Sequence, residues 1–97
     1  MRLSPEEVTV ITKAIRQAFG QQARVWLFGS RVDDNKKGGD IDLLVEPPSG
    51  CDELLDKKLQ ALAKIQMQLG EQKIDMVIAS NSDRLIEQEA RKTGVEL

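Results

Sequence analysis

One stretch constrains this chain more than any other: two short apolar runs, a glycine-serine step after the first, and an aspartate pair at the head of the second. Val25 to Phe28 is rich in Val, Trp, Leu and Phe and reads as a strand. Gly29 and Ser30 follow it, a polar loop runs to Gly39, and Asp40-Ile-Asp-Leu-Leu-Val-Glu46 opens a second strand. Residues two apart in a strand point to the same face. Asp40 and Asp42 therefore stand side by side, with Ile41, Leu43 and Val45 on the opposite face. Adjacent carboxylates repel, which raises a pKa and destabilises the fold. A divalent cation relieves that repulsion, and Mg²⁺ takes such oxygen ligands together with waters and substrate phosphates. Gly29 lets the backbone pass close to a ligand. Ser30 can cap a short helical turn over residues 30–34, whose free N–H groups attract phosphate. A phosphate cradle beside a metal-binding carboxylate pair points to nucleotide chemistry.

The flanking segments supply a scaffold. Residues 5–19 read as a helix: Ser4 with Glu7 is a capping box, and Pro5 suits the first helical position. Val8, Ile11, Ala14, Ile15, Ala18 and Phe19 recur at helical spacing, and Gly20 ends the element. The first strand spans 24–28 and the second 40–46, stopped by Pro47-Pro48-Ser49-Gly50. A second helix is expected over 52–69, with Leu55, Leu59, Leu62 and Leu69 as its buried stripe and Ile65 and Leu54 flanking it. Gly70 closes it. A third strand spans 73–79, with Ile74, Met76 and Ile78 on one face and Asp75 and Val77 on the other. A last helix is expected over 83–92, with Thr93-Gly94 leading into a short tail. The order helix, strand, strand, helix, strand, helix gives an α/β fold: a three-stranded mixed sheet with helices packed on it. Residues 1–97 are expected to form one domain.

Composition removes several function classes. There is no His, which excludes a histidine zinc site, a Ser-His triad and a histidine general base. Acid–base work falls to carboxylates or Lys. The net charge of −2 leaves no basic footprint, so no direct nucleic-acid binding is expected. Lys36 and Lys37 read as solvated loop charges. No apolar run approaches the ~20 residues of a membrane span. The start Met1-Arg2-Leu3-Ser4-Pro5 lacks a signal-peptide core. Cys51 has no partner for an intrachain disulfide and nothing beside it in sequence implies a reactive thiol. A cytoplasmic setting is the expectation.

At Gly29-Ser30, the Arg31–Gly39 gap and Asp40-Ile-Asp-Leu, the chain resembles the DNA polymerase beta-like nucleotidyltransferases, and by its size the minimal nucleotidyltransferase group. The resemblance covers most of the chain. It implies a third carboxylate on a later strand, which Asp75 supplies between apolar neighbours. Asp40, Asp42 and Asp75 would then hold two Mg²⁺ ions, with Asp75 completing the shell of the catalytic ion and accepting the nucleophile's proton. Gly29 and Ser30 would contact the nucleotide phosphates. Arg31 either reaches a phosphate as a bidentate donor or is a solvated surface residue. The substrate implied is a nucleoside triphosphate, ATP, whose AMP passes to a hydroxyl. In the resembled group the partner is a small helical HEPN-type protein, and the pair is a toxin–antitoxin module in which the transferase adds AMP to a tyrosine of the toxin. The chain has no Tyr, so such a target lies in another molecule. Two alternatives stand beside this: an antitoxin that neutralises by contact alone, and a small-molecule, aminoglycoside-type transferase. Plain structural readings also exist. Asp40 could mark a strand start after glycine, Asp42 and Asp75 could be sheet-edge charges, and Trp26 belongs to the core rather than to a base-stacking platform. Three departures from the family pattern, Val32, Asp34 and Gly39, affect the loop rather than the carboxylates.

Overall fold

The computed structural model describes residues 3–29, 40–79 and 85–97. Helix α1 runs Pro5–Phe19. The expected capping box is present: Glu7 N–H donates to Ser4 Oγ at 3.1 Å, and Ser4 N–H donates to Glu7 Oε1 at 2.9 Å. Ile11, Ala14, Ile15 and Phe19 are buried, with Val8 and Ala18 packed against the same cluster, so the whole predicted stripe faces the core.

Strands β1 (Arg24–Phe28) and β2 (Ile41–Glu46) pair antiparallel, with Phe28 opposite Asp42. Helix α2 (Leu54–Leu69) carries the chain across to β3 (Ile74–Ile78), which pairs parallel to β2. The side chain of Gln66 fixes where β3 begins: it donates to Gln72 O at 2.5 Å and accepts from Gln72 N–H at 2.7 Å. Helix α3 (Leu85–Thr93) follows, and then β4 (Val95–Glu96), antiparallel to β1.

The sheet therefore has four strands, in the order β3-β2-β1-β4, not three. The expected C-terminal tail is the fourth. Two residues are too short to show a period-two pattern, and what makes the strand is its entry. Gly94 N–H donates to Ala90 O at 2.9 Å, and a Cβ at Gly94 would overlap the carbonyl oxygens of Ala90 and Leu27. Only glycine lets the chain turn this close to β1.

Helices α1 and α2 cover one sheet face. Their buried side chains join Val25, Leu27, Ile41, Leu43, Val45 and Met76 in one cluster. The other face holds a smaller cluster of Trp26, Leu44 and Ala90, with Phe28, Val77 and Ala79 against it. Trp26 is core, as expected, and lies under two guanidinium groups, Arg24 at 4.8 Å and Arg91 at 5.4 Å from the ring centre. Arg24 also holds Glu96 through two hydrogen bonds of 2.8 and 2.9 Å, tying β1 to β4.

The α2 stripe differs from expectation. The helix starts at Leu54 rather than 52, after Glu53 in a left-handed conformation (φ 51°). Its buried residues are Ala61 and Ile65, with Leu54, Leu62 and Leu69 partly buried, whereas Leu55 is 68% and Leu59 55% exposed. Two apolar stripes overlap on this helix. The one containing the small Ala61 packs toward α1, because a small side chain allows close approach. Among the described residues, no helix is long and apolar enough to cross a membrane.

Candidate active site

The strand directions bring three chain positions to one corner. The end of β1 leads into Gly29, and the starts of β2 and β3 lie beside it, because β2 runs antiparallel to β1 and parallel to β3. In the β2–β3 register Asp42 stands directly opposite Asp75. Partners in a ladder point to the same face, so two carboxylates adjoin at this corner. The alternation of β2 puts Ile41, Leu43 and Val45 in the core and leaves Asp42 half-buried on the other face.

Gly29 is built against Asp42. Its φ is +78°, and a Cβ there would overlap the Asp42 carboxylate. Backbone and carboxylate thus meet with no space for a side chain, which only glycine permits. What Gly29 approaches closely is the Asp42 side chain.

Burial, the charge of Asp75 and the charge of Asp40 together push the Asp42 carboxyl above its ordinary pKa. Among the described residues no cation pairs with Asp42 or Asp75. Asp40, the residue before β2, is engaged differently: Lys73 Nζ lies 3.8 Å from its Oδ2. No group of three His, Cys, Asp or Glu side chains among the described residues is gathered tightly enough to be a ready metal cage. The arrangement is an adjoining pair, Asp42 and Asp75, with Asp40 next along and turned to a lysine. The hard carboxylate oxygens of Asp42 and Asp75 suit Mg²⁺, which keeps waters and substrate oxygens in its shell rather than demanding an all-protein cage.

The plain readings separate here. Asp42 lies on a central strand, so an edge-protecting role does not apply to it. Asp75 lies on the edge strand β3 and is exposed, so its apolar neighbours do not make it a buried charge. Ser30 and Arg31 lie outside the described residues, as do Lys36 and Lys37.

Sequence reasoning missed two contacts. Lys73 beside Asp40 is one. The other is at the opposite end of the sheet, where an open pocket of about 390 Å³ is lined by Phe19, Pro48, Cys51 and Lys57 among others. There Lys57 Nζ donates to Cys51 Sγ at 3.5 Å and lies 3.5 Å from Asp52 Oδ1. Burial opposes the Lys57 charge, but the thiol and Asp52 hold its pKa above the ordinary lysine value. Neither contact could be found from spacing alone: the first depends on the β2–β3 register and the second on how the turn before α2 folds back.

A four-stranded mixed sheet, helices on both faces and an aspartate pair beside a glycine turn define a nucleotidyltransferase domain of the polymerase beta type. The chain belongs to that family: the family model described as "Polymerase beta, Nucleotidyltransferase" matches residues 11–97. No curated protein matches the chain in sequence. The family transfers nucleotidyl groups and generally uses a nucleoside triphosphate and a divalent metal.

Proposed function

We propose that the chain is a minimal nucleotidyltransferase that transfers AMP from ATP, with Mg²⁺, to a hydroxyl of a partner protein. In this reading it is the antitoxin of a toxin–antitoxin pair whose other member is a small helical HEPN-type protein. The observation that carries the transferase reading is the Asp42–Asp75 pair across the β2–β3 ladder, with Gly29 pressed against Asp42, inside a domain of this family.

Asp40, Asp42 and Asp75 would hold the cation. Two Mg²⁺ ions, when bound, would lower the pKa of the attacking hydroxyl and neutralise the triphosphate and departing pyrophosphate. The backbone at Gly29, with Ser30 and Arg31 after it, would orient the phosphates. The acceptor oxygen forms a bond to the α-phosphorus as the bond to the β-phosphate oxygen breaks. Pyrophosphate leaves, and the acceptor's proton passes to the exposed Asp75 carboxylate. The partner reading rests on the resemblance to the minimal nucleotidyltransferase group.

The test uses ATP labelled on the α-phosphate, Mg²⁺ and lysate of the native host, beside an Asp40→Asn/Asp42→Asn control. A labelled protein band seen with the wild type alone is the expected result. Label on a small molecule would replace the protein target by a metabolite. No label in a lysate shown to contain the bound partner would overturn transfer and leave an antitoxin acting by contact.

A further inference from the structure

Lys73 extends the β2–β3 ladder by one step. Its carbonyl accepts from Ile41 N–H at 2.9 Å, and the register that follows pairs Ile41 with Ile74 and Asp42 with Asp75. Lys73 is therefore Asp40's neighbour across the ladder and shares a face with Asp75, two residues on. Among the described residues, four charged side chains occupy one face of this corner: Asp40, Asp42, Asp75 and Lys73. Lys73 is the one cation of that set, and its Nζ lies 3.8 Å from Asp40 Oδ2. It is also 82% exposed, so its four-carbon stem is free to swing away.

Resting on the metal-dependent reading above, we infer that Lys73 is the resident counter-ion of Asp40: it competes with the divalent cation for that carboxylate and, once displaced, offers its ammonium to the triphosphate. The physical reason is charge. Without a metal the corner carries three carboxylates, and a neighbouring ammonium lowers the repulsion among them. A divalent cation at Asp40 occupies the same oxygen and repels the ammonium. The released lysine then stands beside the most negative part of the incoming nucleotide, where a compact, mobile point charge binds phosphate well. Metal and nucleotide binding are thereby coupled through one side chain. Lys73 is a positioning residue in this scheme, since its effect on the reaction passes through Asp40 and the phosphates.

The test is calorimetric titration of the full chain with Mn²⁺ or Mg²⁺ alone, then with a non-hydrolysable ATP analogue at saturating metal. Lys73→Met should bind the metal about two- to fivefold more tightly than wild type, the range an exposed ion pair supports. It should bind the analogue more weakly, and Lys73→Arg should restore both. In an Asp40→Asn background Lys73→Met should no longer change metal affinity, which separates a specific pair from general electrostatics. Unchanged metal affinity in Lys73→Met, or an equal effect with Asp40 already neutral, would overturn the inference and leave the transferase reading intact. Absence of any Asp42-dependent metal binding in the wild type would overturn both.

Discussion

Asp42 sits where packing and charge disagree. Its strand is central and must bury its neighbours, yet its carboxylate faces two others. A raised folded-state pKa means that the folded protein holds the proton more tightly than the unfolded chain does. Stability from this group is therefore complete below the ordinary carboxylate value and is lost as pH rises through the raised one. Glu96 has the opposite sign: its hydrogen bonds from Arg24 lower its pKa, so its contribution is lost as pH falls. The informative measurement is thus a difference. In metal-free buffer, urea midpoints of wild type and Asp42→Asn should diverge as pH climbs out of the carboxylate range, with the variant more stable at neutral pH. Parallel profiles would contradict the placement. Gly29→Ala probes the same contact from the other side. A positive φ and an overlapping Cβ predict a loss of about 1–3 kcal/mol in denaturant unfolding. Part of that loss should disappear in an Asp42→Ala background, leaving the backbone component. Asp42 was legible in the sequence because a period of two is a strong local signal. The exposure of Asp75 was not, because apolar neighbours mark a strand without saying whether it lies at an edge. Lys73 was invisible because its partner is fixed by register.

Element by element, legibility followed how local the determining forces are. Helix α1 carries its own start signal, stripe and stop, and the structure reproduces all three. Strand β4 depends on a glycine whose role is to stay clear of backbone in two other elements, α3 and β1, which no local pattern announces. Helix α2 was found with the wrong face inward. Its leucines form a convincing stripe, but the face that packs is the one whose Ala61 lets α1 approach. This makes a sharp contrast of substitutions. Ile65→Ala removes a side chain with no exposed surface and should destabilise the protein by about 2–5 kcal/mol. Leu59→Ala, at an exposed position on the same helix, should stay within about 0.5 kcal/mol. Chemical denaturation of the two variants decides it, and equal losses would show that the leucine stripe is the buried one.

In the molecule as a whole, core and candidate site are on opposite sides of one sheet. The larger cluster, with Ile11, Ile15, Leu27, Ile41, Leu43, Val45 and Ile65 fully buried, lies under α1 and α2. The carboxylate corner lies on the face that carries the smaller cluster of Trp26, Leu44 and Ala90. The scaffold therefore has a complete apolar core without any ligand, while the acidic corner carries a charge repulsion that a bound cation would remove. Ligand binding should add to a fold that already stands. Anything that binds the folded chain alone stabilises it by mass action, about 2.7 kcal/mol at a hundredfold excess over Kd. For a domain of this size each kcal/mol moves the melting point by roughly 4–8 °C. Mg²⁺ with ATP at that excess should thus raise Tm by about 10 °C or more, ATP with a chelator should do much less, and Asp42→Asn should lose most of the shift. The comparison matters because Asp42→Asn is expected to be the more stable protein without ligand. A variant that starts higher and gains less separates the loss of a binding site from the loss of a fold. A wild type that gains nothing from Mg²⁺ and ATP would remove nucleotide from the function of this chain, whatever its family.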